Sequence, residues 1–200
     1  MDIGILVSLS ACAPAPRDAA LSGQTMGTTY SIRIAHVQVR PREIRRLQAD
    51  VDAALAEVNR QMSTWDPDSE ISRFNRAGAN EPVAISPDFQ SVVRRALEIA
   101  EATGGAFDPT VGALVNLWGF GPDGLRRVAP APDQIAAARA ITSWRHLRLL
   151  PDGRLQKDVA DLKLDLGAIA KGFGVDRVAA LLRERGIENF LVEIGGETLG

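Results

Sequence analysis

Leu164-Asp165-Leu166-Gly167-Ala168-Ile169-Ala170-Lys171-Gly172-Phe173-Gly174 decides how the chain is read. A short apolar run ends in a carboxylate and small residues follow. A single lysine then stands between Ala170 and Gly172, ahead of an amphipathic segment reaching Gly186. The pattern predicts a strand turning into a helix. Gly167 and Ala168 let the backbone approach a ligand closely, and a helix start there aims unpaired N–H groups and the positive end of the helix dipole at a phosphate. Lys171 adds a positive charge on a flexible stem. The same residues admit a plain structural reading: Asp165 as a helix cap, Gly167 as a tight turn, Lys171 as a solvated lysine. The stretch is not a Walker A loop, since no Lys-Ser or Lys-Thr follows a glycine, and it lacks the glycine spacing of a dinucleotide fingerprint.

The chain around it has 200 residues, 46% of them hydrophobic and 24% charged, which suffices for one globular domain, or two small ones, with a real core. A net charge of −2 carries no basic excess. The local cluster Arg40, Arg42, Arg45 and Arg46 reads as a solvated helix face, so nucleic acid is not an expected partner. His36 and His146 stand alone, in no spacing suited to zinc or to a Ser-His-Asp triad. No repeat of 20–50 residues is present.

Residues Ile3 to Ala11 are apolar or small and lead through Leu9-Ser10-Ala11 to Cys12, the only cysteine, followed by Ala13-Pro14-Ala15-Pro16. This resembles a bacterial lipoprotein signal in which the cysteine is lipidated. Residues 1–12 are therefore expected to be a signal segment and residues 13–22 a flexible tether. No Lys or Arg precedes the apolar run, so the natural start is expected upstream of Met1. A single cysteine permits neither an internal disulfide nor a thiolate metal cluster.

From Gly23 to Ala35, Tyr30, Ile32 and Ile34 alternate with polar neighbours, which predicts one half-buried strand with Met26-Gly27 at its entrance. After Pro41, Ile44, Leu47, Val51, Leu55, Val58 and Met62 recur at helical spacing. Met62 to Asn75 breaks that pattern and reads as a loop around Pro67, with Trp65 either a stacking platform for a flat ring or a lid over the preceding helix. Ser86-Pro87-Asp88 opens a second helix that stops at Gly104-Gly105. Asp108, before a proline, is held extended so that its carboxylate can point at a ligand or merely sit in a turn. Trp118-Gly119-Phe120-Gly121 is a second aromatic and glycine cluster expected to pack or close over a neighbouring surface. Asp133 to Ser143 reads as a short helix, Leu147 to Lys157 as a hairpin and Phe190 to Ile194 as an apolar strand. The fold class expected is α+β, with a mixed, largely antiparallel sheet packed with helices.

Seven stretches then occur in order: Met26-Gly27-Thr28, Met62-Ser63-Thr64-Trp65, Ser69-Glu70-Ile71-Ser72, Gly105-Ala106-Phe107-Asp108-Pro109, Trp118-Gly119-Phe120-Gly121, Asp165 to Gly172, and Ile194-Gly195-Gly196-Glu197. Together they resemble the ApbE family of FAD:protein FMN transferases over residues 23–200. The resemblance implies an enzyme of the bacterial cell envelope that binds FAD and a divalent metal, usually magnesium; with the lipid expected on Cys12, the chain is expected to be anchored to the inner membrane, facing the periplasm. It implies cleavage of the FAD diphosphate and attachment of FMN to a Ser or Thr hydroxyl of a target protein, such as a subunit of a membrane redox complex, with release of AMP. Met26 and Trp65 would contact the flavin, with Trp65 standing where the family commonly carries an aromatic. Ala106, Phe107 and Asp108 would line the FAD site, Asp165 and Lys171 would bind FAD, and the Ala168 carbonyl would be a metal ligand. The family's acidic and hydroxyl metal ligands follow its Gly-Gly-acid strand. The chain is therefore expected to be a fragment with little transferase activity of its own. FAD hydrolysis to FMN and AMP, and flavin binding without catalysis, stay open beside transfer.

Overall fold

The computed structural model describes residues 17–37, 40–124 and 128–200. Cys12 and the expected signal segment lie outside these residues. The expected tether is corrected at its C-terminal end: β1 (Arg17–Thr25) is already a strand, paired antiparallel with β2 (Thr28–Val37). The single strand expected over 23–35 is thus the adjoining halves of a hairpin. Its two turn residues, Met26 (φ 49°) and Gly27 (φ 70°), both have positive φ, the conformation that matches the twist of a tight hairpin. Alternation alone could not reveal the turn, because methionine is a poor left-handed residue.

The sheet runs β1-β2-β5-β6, antiparallel throughout, with β5 (Phe190–Ile194) against β2 and β6 (Glu197–Leu199) at the end. Leu21, Tyr30, Ile32, Ile34, Val192 and Ile194 are buried on one face. Against that face pack α1 (Pro41–Met62), through Leu47, Val51 and Leu55, and α6 (Gly167–Glu184), through Val175, Val178, Ala179 and Leu182. The helical periodicity read from Ile44 to Met62 is this packing stripe as far as Leu55, and its last two members turn to a second core.

A second core lies beside the first. It joins Val58 and Met62 at the end of α1 to α2 (Glu70–Arg76), α3 (Pro87–Ala102) and the hairpin of β3 (Leu147–Leu149) with β4 (Leu155–Lys157). Ser86 caps α3, and Gly104 and Gly105 follow its end with φ of 62° and 87°. The short helices α4 (Gly112–Leu117) and α5 (Pro132–Ala140) lie at the periphery.

Two further expectations change. The loop read over 62–75 contains α2, whose N-cap Ser69 accepts a hydrogen bond from the Ser72 N–H at 3.1 Å. Residues 162–166, the apolar run before α6, are not a strand. A single parallel bridge, Val111 with Lys163, is their only ladder contact among the described residues. Tertiary hydrogen bonds from neighbouring side chains and backbone, Asn75, Lys157, Pro109 and Gly112, replace a partner strand. Among the described residues no helix is long and apolar enough to cross a membrane.

Candidate functional site

Met26 sits where the two cores meet and packs against both. A left-handed, non-glycine residue at such a junction holds strain that the surrounding packing must sustain. Gly174 on α6 makes room for it, since a Cβ there would stand 2.8 Å from Met26 Cε. The hairpin turn is thereby pressed against the middle of α6, opposite the C-terminal end of α1.

Between these elements opens a cavity of about 400 Å³ lined by Met26, Gly27, Asn59, Met62, Trp65, Phe120, Asp165, Ala170 and Lys171, among others. A second cavity of about 350 Å³ meets it at Thr64, Trp65 and Asp165, and is lined further by Asn75, Arg76, Asn116 and Lys163. Trp65 is 65% exposed and Phe120 76% exposed. Trp65 therefore does not cover the preceding helix, the alternative left open by its sequence. Two large aromatics held this far in solvent at one cavity mouth offer faces for a flat ring. The Trp65 loop is fixed from below: Ser69 Oγ donates to the Ser63 carbonyl at 2.7 Å.

Asp165 is placed by backbone on one side and by its own side chain on the other. Its N–H donates to the Pro109 carbonyl at 2.8 Å, and its Oδ1 accepts the Gly167 N–H at 2.7 Å. Thus the first helical N–H of α6 is already occupied. The N–H groups of Ile169 and Ala170 both donate to the Leu166 carbonyl. Among the described residues only Ala168, exposed in the first turn, has an N–H there without an acceptor. The helix start consequently presents one free donor rather than a cradle, and the cation beside it matters more. Lys171, one turn on, makes a long 3.4 Å hydrogen bond to the Gly195 carbonyl and, among the described residues, no salt bridge. An ammonium held so loosely can turn to a phosphate at small cost.

Ala106, Phe107 and Asp108 do not line this cavity. Ala106 is exposed, and Phe107 packs against the second core. Both carboxylate oxygens of Asp108 are engaged: Oδ1 accepts the Thr110 N–H at 2.8 Å and the Thr110 hydroxyl at 2.6 Å, and Oδ2 accepts the Trp144 N–H at 2.9 Å. Asp108 thus fixes the loop whose Pro109 carbonyl holds Asp165. Sequence reasoning missed Asn59 and Asn75 and did not assign Phe120 to the site. Phe120 had a signal in its flanking glycines, whereas the two asparagines lie on helices and carry none.

A larger, more open groove of about 810 Å³ runs between α3 and the β3–β4 hairpin, past Arg94, Trp144 and Arg145. None of the residues singled out from the seven motifs lines it, and size alone does not make it the site. For a metal, no group of three or more His, Cys, Asp or Glu side chains lies together among the described residues. Asp165 is the one carboxylate lining the first cavity among the described residues, and Ala168 lines neither cavity, so these two are an incomplete set for a hard cation that takes six oxygens.

Residues 26–200 match the ApbE family. The chain is 47% identical over 192 residues to the FAD:protein FMN transferase of Vibrio cholerae, covering 96% of this chain and 57% of that protein. It is 39% identical to the FAD:protein FMN transferase of Haemophilus influenzae, covering 98% of this chain and 58% of that one. Among solved structures it superimposes on the flavin transferase ApbE of Vibrio cholerae with a TM-score of 0.87, over 92% of this chain and 59% of that chain. For the apo form of the Pseudomonas stutzeri flavinyl transferase ApbE the TM-score is 0.84 at 36% identity, over 92% of this chain and 60% of that one. The chain therefore spans between 57% and 60% of the length of these relatives.

Proposed function

The chain belongs to the ApbE family, and from that premise we propose that it binds FAD in the paired cavities around Trp65 and Asp165 and takes part in moving FMN from FAD to a protein hydroxyl. The observation that carries the reading is the convergence of Met26, Trp65 and the Asp165–Lys171 turn, from three separate stretches of sequence, on one cavity. The Trp65 and Phe120 faces and the Met26 side chain would hold the isoalloxazine ring. Lys171 and the free Ala168 N–H would meet the diphosphate, whose charge must be neutralised for phosphoryl transfer. Ala106, Phe107 and Asp108 act from behind, through the Pro109 carbonyl on Asp165.

FAD is the donor: the bond between its FMN phosphorus and the bridging oxygen breaks, that oxygen leaves with AMP, a bond from the same phosphorus to a Ser or Thr oxygen of the target forms, and the hydroxyl proton passes to water. The residues of the chain position and neutralise, and none is a covalent intermediate in this reading. Magnesium belongs to the proposal through the family. Ala168 would offer its carbonyl, but the described residues alone do not complete a site, so no step here depends on the ion. We propose in addition that Cys12 carries a lipid that places the domain on the periplasmic face of the inner membrane.

Incubation with FAD, magnesium and a Ser/Thr-bearing target protein tests the reading. Covalent flavin on the target with release of AMP supports it. Free FMN and AMP without labelled target would replace it with hydrolysis, and neither product would reduce it to binding.

A further inference from the structure

We infer that Asn75 is a positioning residue that sets the Asp165 wall of the cavity by gripping the Leu164 peptide from both sides. The inference rests on the reading of Asp165 as an FAD-binding residue. Asn75 Nδ2 donates to the Leu164 carbonyl at 2.9 Å, and Asn75 Oδ1 accepts the Leu164 N–H at 2.7 Å. One side chain thereby supplies the two hydrogen bonds that a neighbouring strand would give, to a segment that has no such strand. Buried N–H and C=O groups left without them would carry the desolvation penalty uncompensated, so the segment is held where the amide is.

The amide is itself held. The main-chain carbonyl of Asn75 accepts from Lys157 Nζ at 3.1 Å and from Lys163 Nζ at 2.8 Å. Lys157 is wholly buried, lies 5.5 Å from the centre of the Phe74 ring, and also donates to the Leu162 carbonyl at 3.0 Å. From the opposite side the Gly112 N–H donates to the Lys163 carbonyl at 3.0 Å. The segment entering α6 is therefore clamped at Leu162, Lys163, Leu164 and Asp165 in succession.

The other end of α2 carries Ser69, whose hydroxyl holds the Ser63 carbonyl two residues before Trp65. A single short helix thus ties the Trp65 wall at its N-terminus and the Asp165 wall at its C-terminus. Its length fixes the gap between them, which is the span across which both cavities open. Asn75 is the link in this spacer that a side-chain substitution can break without touching Trp65 or Asp165.

The test is FAD affinity by titration calorimetry for the wild type, Asn75→Asp, Asp165→Ala and the double variant. Asn75→Asp keeps the shape and the acceptor for the Leu164 N–H but loses the donor to the Leu164 carbonyl. We expect a loss of about tenfold for Asn75→Asp, the scale of one buried hydrogen bond. The double variant is expected to bind no more weakly than Asp165→Ala alone, because a residue acting only through Asp165 has nothing left to act on. Wild-type affinity for Asn75→Asp, or fully additive losses, would overturn the inference. Unchanged affinity for Asp165→Ala would instead overturn the reading of the site itself. If Asn75→Asp does not fold, Lys163→Met, which removes one ammonium from the Asn75 carbonyl and leaves the amide pair, takes its place. A loss of about threefold that vanishes in the Asp165→Ala background supports the inference, and wild-type affinity sinks it.

Discussion

Replacing Lys157 by methionine should flatten the rise of stability with pH that the wild type shows above neutrality. Lys157 has no exposed surface, and burial, reinforced by the nearby Lys163 charge, depresses its pKa from 10.5 to about 8. The unfolded chain keeps the ordinary value. Between these two pH values the unfolded state binds the extra proton, so stability climbs as pH rises from about 8 towards 10.5, and the cost of burying the charge is fully present below pH 8. Evaluating both states at about pH 7 and about pH 9.5 gives a gain of about 2 kcal/mol for the wild type. Hydrogen bonds to the carbonyls of Asn75 and Leu162 favour the ammonium, which makes this figure an upper bound. The assay is urea unfolding across that range, kept below the titration of tyrosine. In Lys157→Met the gain should disappear, whatever the variant's absolute stability. Parallel pH profiles for the two proteins would refute the buried, charged lysine on which the clamp around Asn75 is built.

Gly174→Ala should leave stability within about 1 kcal/mol, because the gain in helix propensity offsets moving the Met26 methyl, yet should weaken FAD binding by pushing Met26 into the cavity; melting curves and an FAD titration check both halves. Gly112→Ala meets backbone instead, with its Cβ 2.7 Å from the Lys163 carbonyl oxygen, and should cost about 1–3 kcal/mol in denaturant unfolding. Burial and the hydrogen bond to Asp52 push the Tyr30 hydroxyl from 10.0 up to about 12. The stability this neutral phenol contributes is held below pH 10 and lost as pH rises towards 12, so Tyr30→Phe should flatten the alkaline limb of the unfolding profile. Lys171→Met should weaken FAD binding by about tenfold or more at low salt with little change in melting temperature, because its one 3.4 Å hydrogen bond holds little of the fold together.

How much of this was legible depended on whether a residue's partner was close in sequence. The stripes of α1 and α3 repeat every three or four residues and carry their own caps, so periodicity found them. The Asp165–Lys171 turn was legible because carboxylate, glycine and lysine fall within one stretch. Asp108 shows the limit. A carboxylate before proline looks free to meet a ligand, but its partner Trp144 lies 36 residues away, and no local pattern announces that hydrogen bond. Asn75 was invisible for the same reason, since the Leu164 peptide it grips is 89 residues further on. The resemblance to the family implies a site role for Met26, while its positive φ and the hairpin it closes appear only in the structure. The seven-residue α2 is too short to show a period, although Ser69 as N-cap with Ile71 and Phe74 buried behind it was a readable sign.

The central claim, that FAD lies in the cavity walled by Trp65 and Asp165, is tested most directly by FAD titration with tryptophan emission as the signal, in the wild type and in Trp65→Leu. Trp65 faces that cavity, whereas Trp144 lines the groove beside α3. The account predicts that FAD quenches wild-type emission and that most of the quenching is lost in Trp65→Leu, together with affinity. Quenching of equal amplitude and midpoint in both proteins would place the flavin elsewhere and contradict it.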